Sequence, residues 1–251
     1  MDPAERATVA LQLIFGFGCR VKAVDLFIDL LADLTQDKRG NVARSGLEAL
    51  TRLGLRKRAA ELIPRLVQDD PSWIQVSAVS WHLHLHRQDL LTPFLSARVY
   101  KGRFPSGKAA FLPAFDNGFS RWTTAQQQCY ADELVKILTS TQRNAWELYG
   151  SVERYAAMPS IDLAPLVQLA RLDAPDQGLR DKTLEALGRA DAGRGVPELM
   201  QALDDNRARV AIYALRRSLM NLRPSQVLDL LARVPRGRSP WPRRSSGSPA
   251  I

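Results

Sequence analysis

The sequence predicts an all-α protein, a solenoid of antiparallel helix pairs, on three observations. Short stretches recur at a step of 28 or 29 residues. Each copy lies in an amphipathic segment whose apolar residues follow the helical period. No segment alternates apolar and polar residues with period two, and no hairpin turn interrupts the pattern, as strands would require.

Taken in order, the elements begin at Asp2 and Pro3, an N-cap and first-turn pair ahead of the apolar run Ala7–Gly18. The leader MDPAER holds two acids and one base, so it lacks the basic flank of a signal peptide and the run reads as a first helix. The principal repeat appears as LEALTR at Leu47–Arg52 and more loosely as VSAVSW at Val76–Trp81. It returns as LEALGR at Leu184–Arg189 and IYALRR at Ile212–Arg217. In each copy a small residue (Ala49, Ala78, Ala186 or Ala214) sits among apolar ones, where two helices can approach closely.

A second element follows about half a period later: IPRLVQDD at Ile63–Asp70, TPFL at Thr92–Leu95, APLVQLA at Ala164–Ala170 and VPELMQALDD at Val196–Asp205. Pro93, Pro165 and Pro197 suit a first helical turn, where the missing N–H has no intrahelical partner to lose. Pro64 follows RKRAAELI and interrupts a helix already under way. The acid pairs Asp69-Asp70 and Asp204-Asp205 fall in the links, placed to cap the next helix. Arg52, Arg189 and Arg217 close repeat helices, where a cation complements the carbonyl end.

These stretches resemble the HEAT-repeat family, most of all its short bacterial repeats of the phycobilisome-lyase type. The likeness is carried by VPELMQALDDNRARVAIYALRRSL, Val196–Leu219, with its proline, apolar pair, aspartate, and arginine-valine opening the next repeat. IPRLVQDDPSWIQVSAVSWHL, Ile63–Leu83, departs from it where WIQV replaces arginine-valine. The resemblance covers 40–97 and 176–234 and is weak over 98–160. It implies a right-handed α-solenoid, a HEAT/armadillo-type superhelix with repeats over 1–97 and 123–235. It further implies a cytoplasmic, non-catalytic scaffold that binds another macromolecule, above all a protein, on its concave face. A repeat pattern specifies a fold and not an activity.

Residues 98–122 break the pattern. They hold Gly102, Gly107, Gly118, Pro105 and Pro113 with Tyr100, Phe104, Phe111, Phe115, Phe119 and Trp122. Arg98, Lys101, Arg103, Lys108 and Arg121 face the single Asp116. Long irregular loops inside a compact array are usually functional. The expected partner contact is therefore Arg98, Tyr100, Lys101, Arg103, Phe104, Lys108, Phe119, Arg121 and Trp122, because aromatic residues and arginine dominate binding hot spots. A nucleic-acid partner is the alternative, with the cations on phosphates and the rings on bases. In a third reading the segment folds back and its rings plug the core. Helix resumes at TTAQQQCYADELVKILTSTQ, with Thr123 or Thr124 as N-cap.

The net charge of +9 adds little to the nucleic-acid reading. Residues 1–70 and 161–235 each carry 11 basic and 10 acidic side chains, residues 71–160 carry 9 and 6, and the last sixteen carry 4 and none. The excess sits in the middle segment and in the tail 236–251, RGRSPWPRRSSGSPAI, and not along one stripe. That tail cannot form a capping repeat, and the expectation is a frameshift product, against a genuine disordered basic tail. The two cysteines, Cys19 and Cys129, have neither metal nor redox spacing and read as reduced thiols.

Signals of chemistry fail on context. Gly102–Lys108 matches most of a P-loop, but helix precedes it, Ala109 stands where magnesium needs a hydroxyl, and no strand leads in. His82 and His86 share one helical face without further ligands, so no metal and no cofactor is expected. Trp73, Trp81, Trp122 and Trp146 with Asp132 or Glu147 suggest the groove of a HEAT-type alkylpurine DNA glycosylase, yet no motif aligns residue by residue. No small-molecule substrate is identified, and no run of apolar residues is long enough for a membrane span.

Overall fold

Helical spacing of apolar residues becomes eleven α-helices among the described residues, with five short 3-10 turns and no β-strand. The computed structural model describes residues 24–220 except 53–55, 108 and 141–143, together with Glu5, Val9, Gln12, Leu222, Pro224, Ser225, Val227 and Leu228. Asp2, Pro3, Cys19, Lys108 and the tail 236–251 lie outside the described residues, although Glu5, Val9 and Gln12 are helical. No helix among the described residues is long and apolar enough to cross a membrane.

Two compact units divide the chain, residues 1–133 and 134–251. In the first, α1 (Val24–Leu34) packs on α2 (Gly40–Arg52), and α2 on α3 (Arg56–Asp69) and α4 (Ser77–His86). A 3-10 turn at Pro71–Gln75 joins α3 to α4, and the four-residue α5 (Gln88–Leu91) follows. Buried Ala59, Ile63, Leu66 and Val67 form the stripe that α3 turns inward, and Pro64 stands inside this helix as its position required. TPFL forms only a 3-10 turn, Thr92–Phe94, after which the chain leaves helical geometry until Phe119. One antiparallel bridge, Arg98 with Phe111, closes this stretch at its base.

The division between units falls inside α6 (Thr124–Thr139). Thr123 Oγ1 accepts from the Gln126 amide at 3.2 Å, and Gln126 Oε1 accepts from the Thr123 amide at 3.0 Å, a reciprocal capping box.

The second unit contains α7 (Ala145–Ala156), α8 (Ala164–Ala170), α9 (Gln177–Leu187), α10 (Val196–Gln201) and α11 (Ala208–Met220). Pro165 and Pro197 occupy the first turns of α8 and α10. Helix α9 packs against α7, α8 and α11, and α10 packs against α11. Ala186 and Ala214 are buried, and a Cβ on Gly188 would stand 2.5 Å from the Ala214 carbonyl oxygen, so these two helices approach at small residues. Ala49 is buried in α2 in the same way, whereas Ala78 is half-buried.

The link acids cap as expected. Asp70 accepts from the Ser72 amide at 3.0 Å and Asp205 from the Arg207 amide at 2.8 Å. Arg217 lies in the last turn of α11, but Arg189 falls beyond the end of α9 and bonds Glu153 of α7 at 3.0 Å. Glu153 also meets Lys182 at 2.7 Å. Burial alone would raise the Glu153 pKa, and the two cations outweigh it and lower it.

Candidate functional site

The segment 98–122 lies inside the first unit, and its rings point into that unit. Tyr100, Phe104, Phe115, Phe119 and Trp122 are all buried. Phe104 packs against Trp73 with ring centroids 4.5 Å apart, and the Arg44 guanidinium lies over its ring, 5.5 Å from the centroid. Phe115 stacks on His84 of α4 at 4.3 Å, nearly parallel, while Phe119 and Trp122 meet Tyr130 of α6 at 5.9 and 5.4 Å. The Tyr130 hydroxyl donates to the Pro113 carbonyl at 2.6 Å. Each such ring contributes about 1.5–3 kcal/mol through its removal from water.

Backbone groups of the segment are held just as firmly. Arg103 N donates to Asp70 Oδ2 at 3.1 Å and Phe104 N to Ser72 Oγ at 3.1 Å. The Arg103 guanidinium reaches the Thr35 carbonyl at 2.7 Å. A Cβ on Gly102 would overlap Asp70 Oδ1 and stand 2.6 Å from Ser72 Oγ, at a φ of 145° that disfavours any other residue. The glycine of the P-loop look-alike is thus there to seat the Asp70 carboxylate. Two amides of the kind a phosphate would need are already taken by Asp70 and Ser72.

This placement divides the expected contact residues. Tyr100, Phe104, Phe119 and Trp122 belong to the core, because five of the six rings in a stretch with few helical contacts, all but the half-buried Phe111, find their best desolvation inside the first unit. Arg103 is half-buried with its bonds directed inward. Arg98, Lys101 and Arg121 are exposed, and Arg121 donates to the Leu85 carbonyl at 2.8 Å. Lys108 lies outside the described residues.

His84 is the residue around which this core closes. Burial lowers its pKa, against the bond to Asn117, and Arg121 lowers it further. His82 and His86 place their rings 5.2 Å apart, and no cluster of three or more metal-ligating side chains occurs among the described residues. Of the four tryptophans read as a groove, Trp73 and Trp122 are buried and Trp81 is half-buried, whereas Trp146 is 85% exposed.

Sequence reading gave Asp70 only a capping role and passed over the anchors Ser72, His84, Gln126 and Tyr130. The signal for Gln126 was present as Thr-x-x-Gln at Thr123–Gln126. In the second unit sequence reading gave Trp146 only a groove role and missed the exposed Tyr213 at 63% and Met220 at 78%. An open cleft of about 450 Å³ lies there too, lined in part by Val167, Arg171, Leu172, Glu198 and Arg207. Its buried cation is committed: Arg207 bonds Asp205, Glu198 at 3.0 Å and the Ala170 carbonyl at 2.6 Å.

No protein-family model matches the chain, and no curated protein or solved structure matches it.

Proposed function

We propose that the chain is a non-catalytic helical-repeat adaptor of the HEAT type, which holds another protein on its exposed helix faces. One observation carries this reading. Thr183, Ala186 and Leu187 of α9 are buried, and so are Ala211, Ala214 and Leu215, which stand 28 residues further on in α11. Burial that recurs at the sequence period is the pattern that a stack of similar units would produce, and it supports this reading. Such a stack offers extended side surfaces to a partner. Trp146, Tyr213 and Met220 supply large exposed side chains of the kind found at interface centres. In the first unit, with its rings in the core, the segment 98–122 exposes Arg98, Lys101 and Arg121 and offers no aromatic contact.

The test is capture of partners from native lysate with the intact chain, with and without nuclease and across a salt series. The adaptor reading expects a protein partner that survives nuclease and responds weakly to salt. A nucleic-acid ligand would instead lose affinity with a log–log slope of roughly −0.7 to −0.9 per phosphate contacted. That slope, or loss on nuclease treatment, overturns the reading.

A further inference from the structure

Helix α11 is two-faced. Ala211, Ala214, Leu215 and Ser218 are buried, and Arg209, Ile212, Tyr213, Arg216, Arg217 and Met220 are exposed along the opposite arc. At 100° per residue those six span about 140° of the helix surface, with guanidinium groups interleaved among apolar side chains. None of the three arginines has a hydrogen-bond or ion-pair partner among the described residues.

The repeat explains only Arg217, whose counterpart one period earlier is Arg189. Arg209 and Arg216 stand where Asp181 and Gly188 stand in the preceding period, and Tyr213 where Glu185 stands, so this face gains positive charge relative to its predecessor. Leu184, the counterpart of Ile212, is fully buried, whereas Ile212 is 39% exposed. Helix geometry accounts for Arg216 and Arg217, which sit near the C-terminal end where a cation is favoured. It does not account for Arg209, which lies in the first turn, where the helix dipole disfavours a cation. A face with an apolar centre and three cations unpaired among the described residues calls for an apolar occupant that brings anions.

We infer that the exposed face of α11 is a docking surface for an acidic amphipathic segment of another protein, with Ile212, Tyr213 and Met220 receiving its apolar side chains and Arg209, Arg216 and Arg217 its carboxylates. Charge decides among occupants. The stretch that follows in this chain, NLRPSQVLDLLARVP, has two arginines and one aspartate and supplies no net negative charge. A second copy of α11 would set cation against cation. A phosphate backbone would satisfy the arginines but leave Ile212 and Met220 against a hydrated polyanion.

This inference rests on the adaptor reading and is tested with it. The intact chain is used to select from a library of random displayed peptides, and the selected peptides are then titrated against wild type, Arg209→Glu/Arg216→Glu and Tyr213→Ala. A labelled DNA duplex is titrated in parallel. The expected result is a selected set rich in Asp and Glu around large apolar residues. Affinity should fall about tenfold or more with the double charge reversal, which corresponds to about 1.4 kcal/mol. Tyr213→Ala should weaken binding too, which guards against a misfolded charge variant. Selected peptides without acidic bias, or acidic peptides indifferent to both variants, overturn the α11 assignment and leave the adaptor reading standing. Failure to select any peptide counts against both. DNA binding tighter than peptide binding, abolished by the charge reversal, overturns the protein partner in favour of nucleic acid.

Discussion

The indole N–H of Trp122 donates to Nδ1 of His84 at 2.9 Å, and this bond fixes the state of the imidazole. With Nδ1 accepting, the proton sits on Nε2 and is donated to the Asn117 carbonyl. A neutral histidine with both nitrogens engaged thus ties α4 to the segment 98–122. His84→Ala removes the stacked ring, leaves the buried Trp122 indole N–H unpaired and breaks the bond to the Asn117 carbonyl. We expect a loss of roughly 2–5 kcal/mol, the range for a buried large-to-small change. Trp122→Phe keeps most of the packing, and its expected loss is about 1–3 kcal/mol from the orphaned Nδ1. Urea denaturation at constant m-value measures both, and a change under 0.5 kcal/mol for His84→Ala would refute the assignment.

Burial of the same histidine sets a pH dependence. Burial lowers the pKa of His84 first, the Asn117 bond opposes this, and Arg121 adds to it; burial also lowers His82, with His86 and Arg87 nearby. The unfolded chain therefore binds protons more readily than the folded one. Stability from these groups is fully present above about pH 6.5 and is lost as the pH falls below it. The slope is at most about 1.4 kcal/mol per pH unit for each histidine. His84→Gln, whose amide can accept from Trp122 and donate to Asn117, should flatten the profile, leaving the part due to His82. Asp37, held at about 2 by its bond to Arg39, titrates in a lower window and does not confuse the measurement.

Gly102 and Gly107 both have positive φ, at 145° and 68°, yet their surroundings differ. A Cβ on Gly102 meets Asp70 and Ser72, whereas one on Gly107 meets nothing within 4 Å. Gly102→Ala should cost roughly 1–3 kcal/mol from strain, and more where Asp70 is pushed off its amides. Gly107→Ala should cost about 1–2 kcal/mol from its backbone alone. Thermal melts of the two variants check the order. Equal effects would mean that Asp70 does not hold the segment.

Arg207 ties the end of α8, through the Ala170 carbonyl, to Glu198 of α10 and to Asp205 before α11. The bond to Arg207 lowers the Asp205 pKa. Arg207→Ala strands two carboxylates, one of them nearly buried, and we expect a loss of about 3 kcal/mol, the lower end of the range for a broken buried pair because Asp205 keeps some solvent. Arg209→Ala, two residues on and on the exposed side, should change stability by less than about 0.5 kcal/mol. A reversed order in denaturation would refute this division of roles.

How much of this was legible follows residue by residue. The capping acids, the first-turn prolines and the buried alanines were readable because each depends on local geometry and on the helical period. The neighbouring Arg207 and Arg209 were not separable, since only packing decides which of two arginines turns inward. The segment 98–122 was located correctly as a lapse in helix, but the direction of its rings was not readable. Composition gives six aromatics; whether they face solvent or α4 depends on long-range partners such as His84 and Tyr130, distant in sequence. Gly102 looked like a phosphate loop because both uses of glycine admit a close-approaching carboxylate or phosphate oxygen.

Residues 98–122 complete the first unit, and on the adaptor proposal partner binding then falls to exposed helix faces. Deleting 99–120 and following amide hydrogen exchange across the whole chain tests it most directly. The account predicts that α4, α3 and the N-terminal part of α6 lose protection together, while α9 and α11 keep theirs. Full protection in α4, combined with loss of a captured partner, would contradict it and make the segment a binding loop.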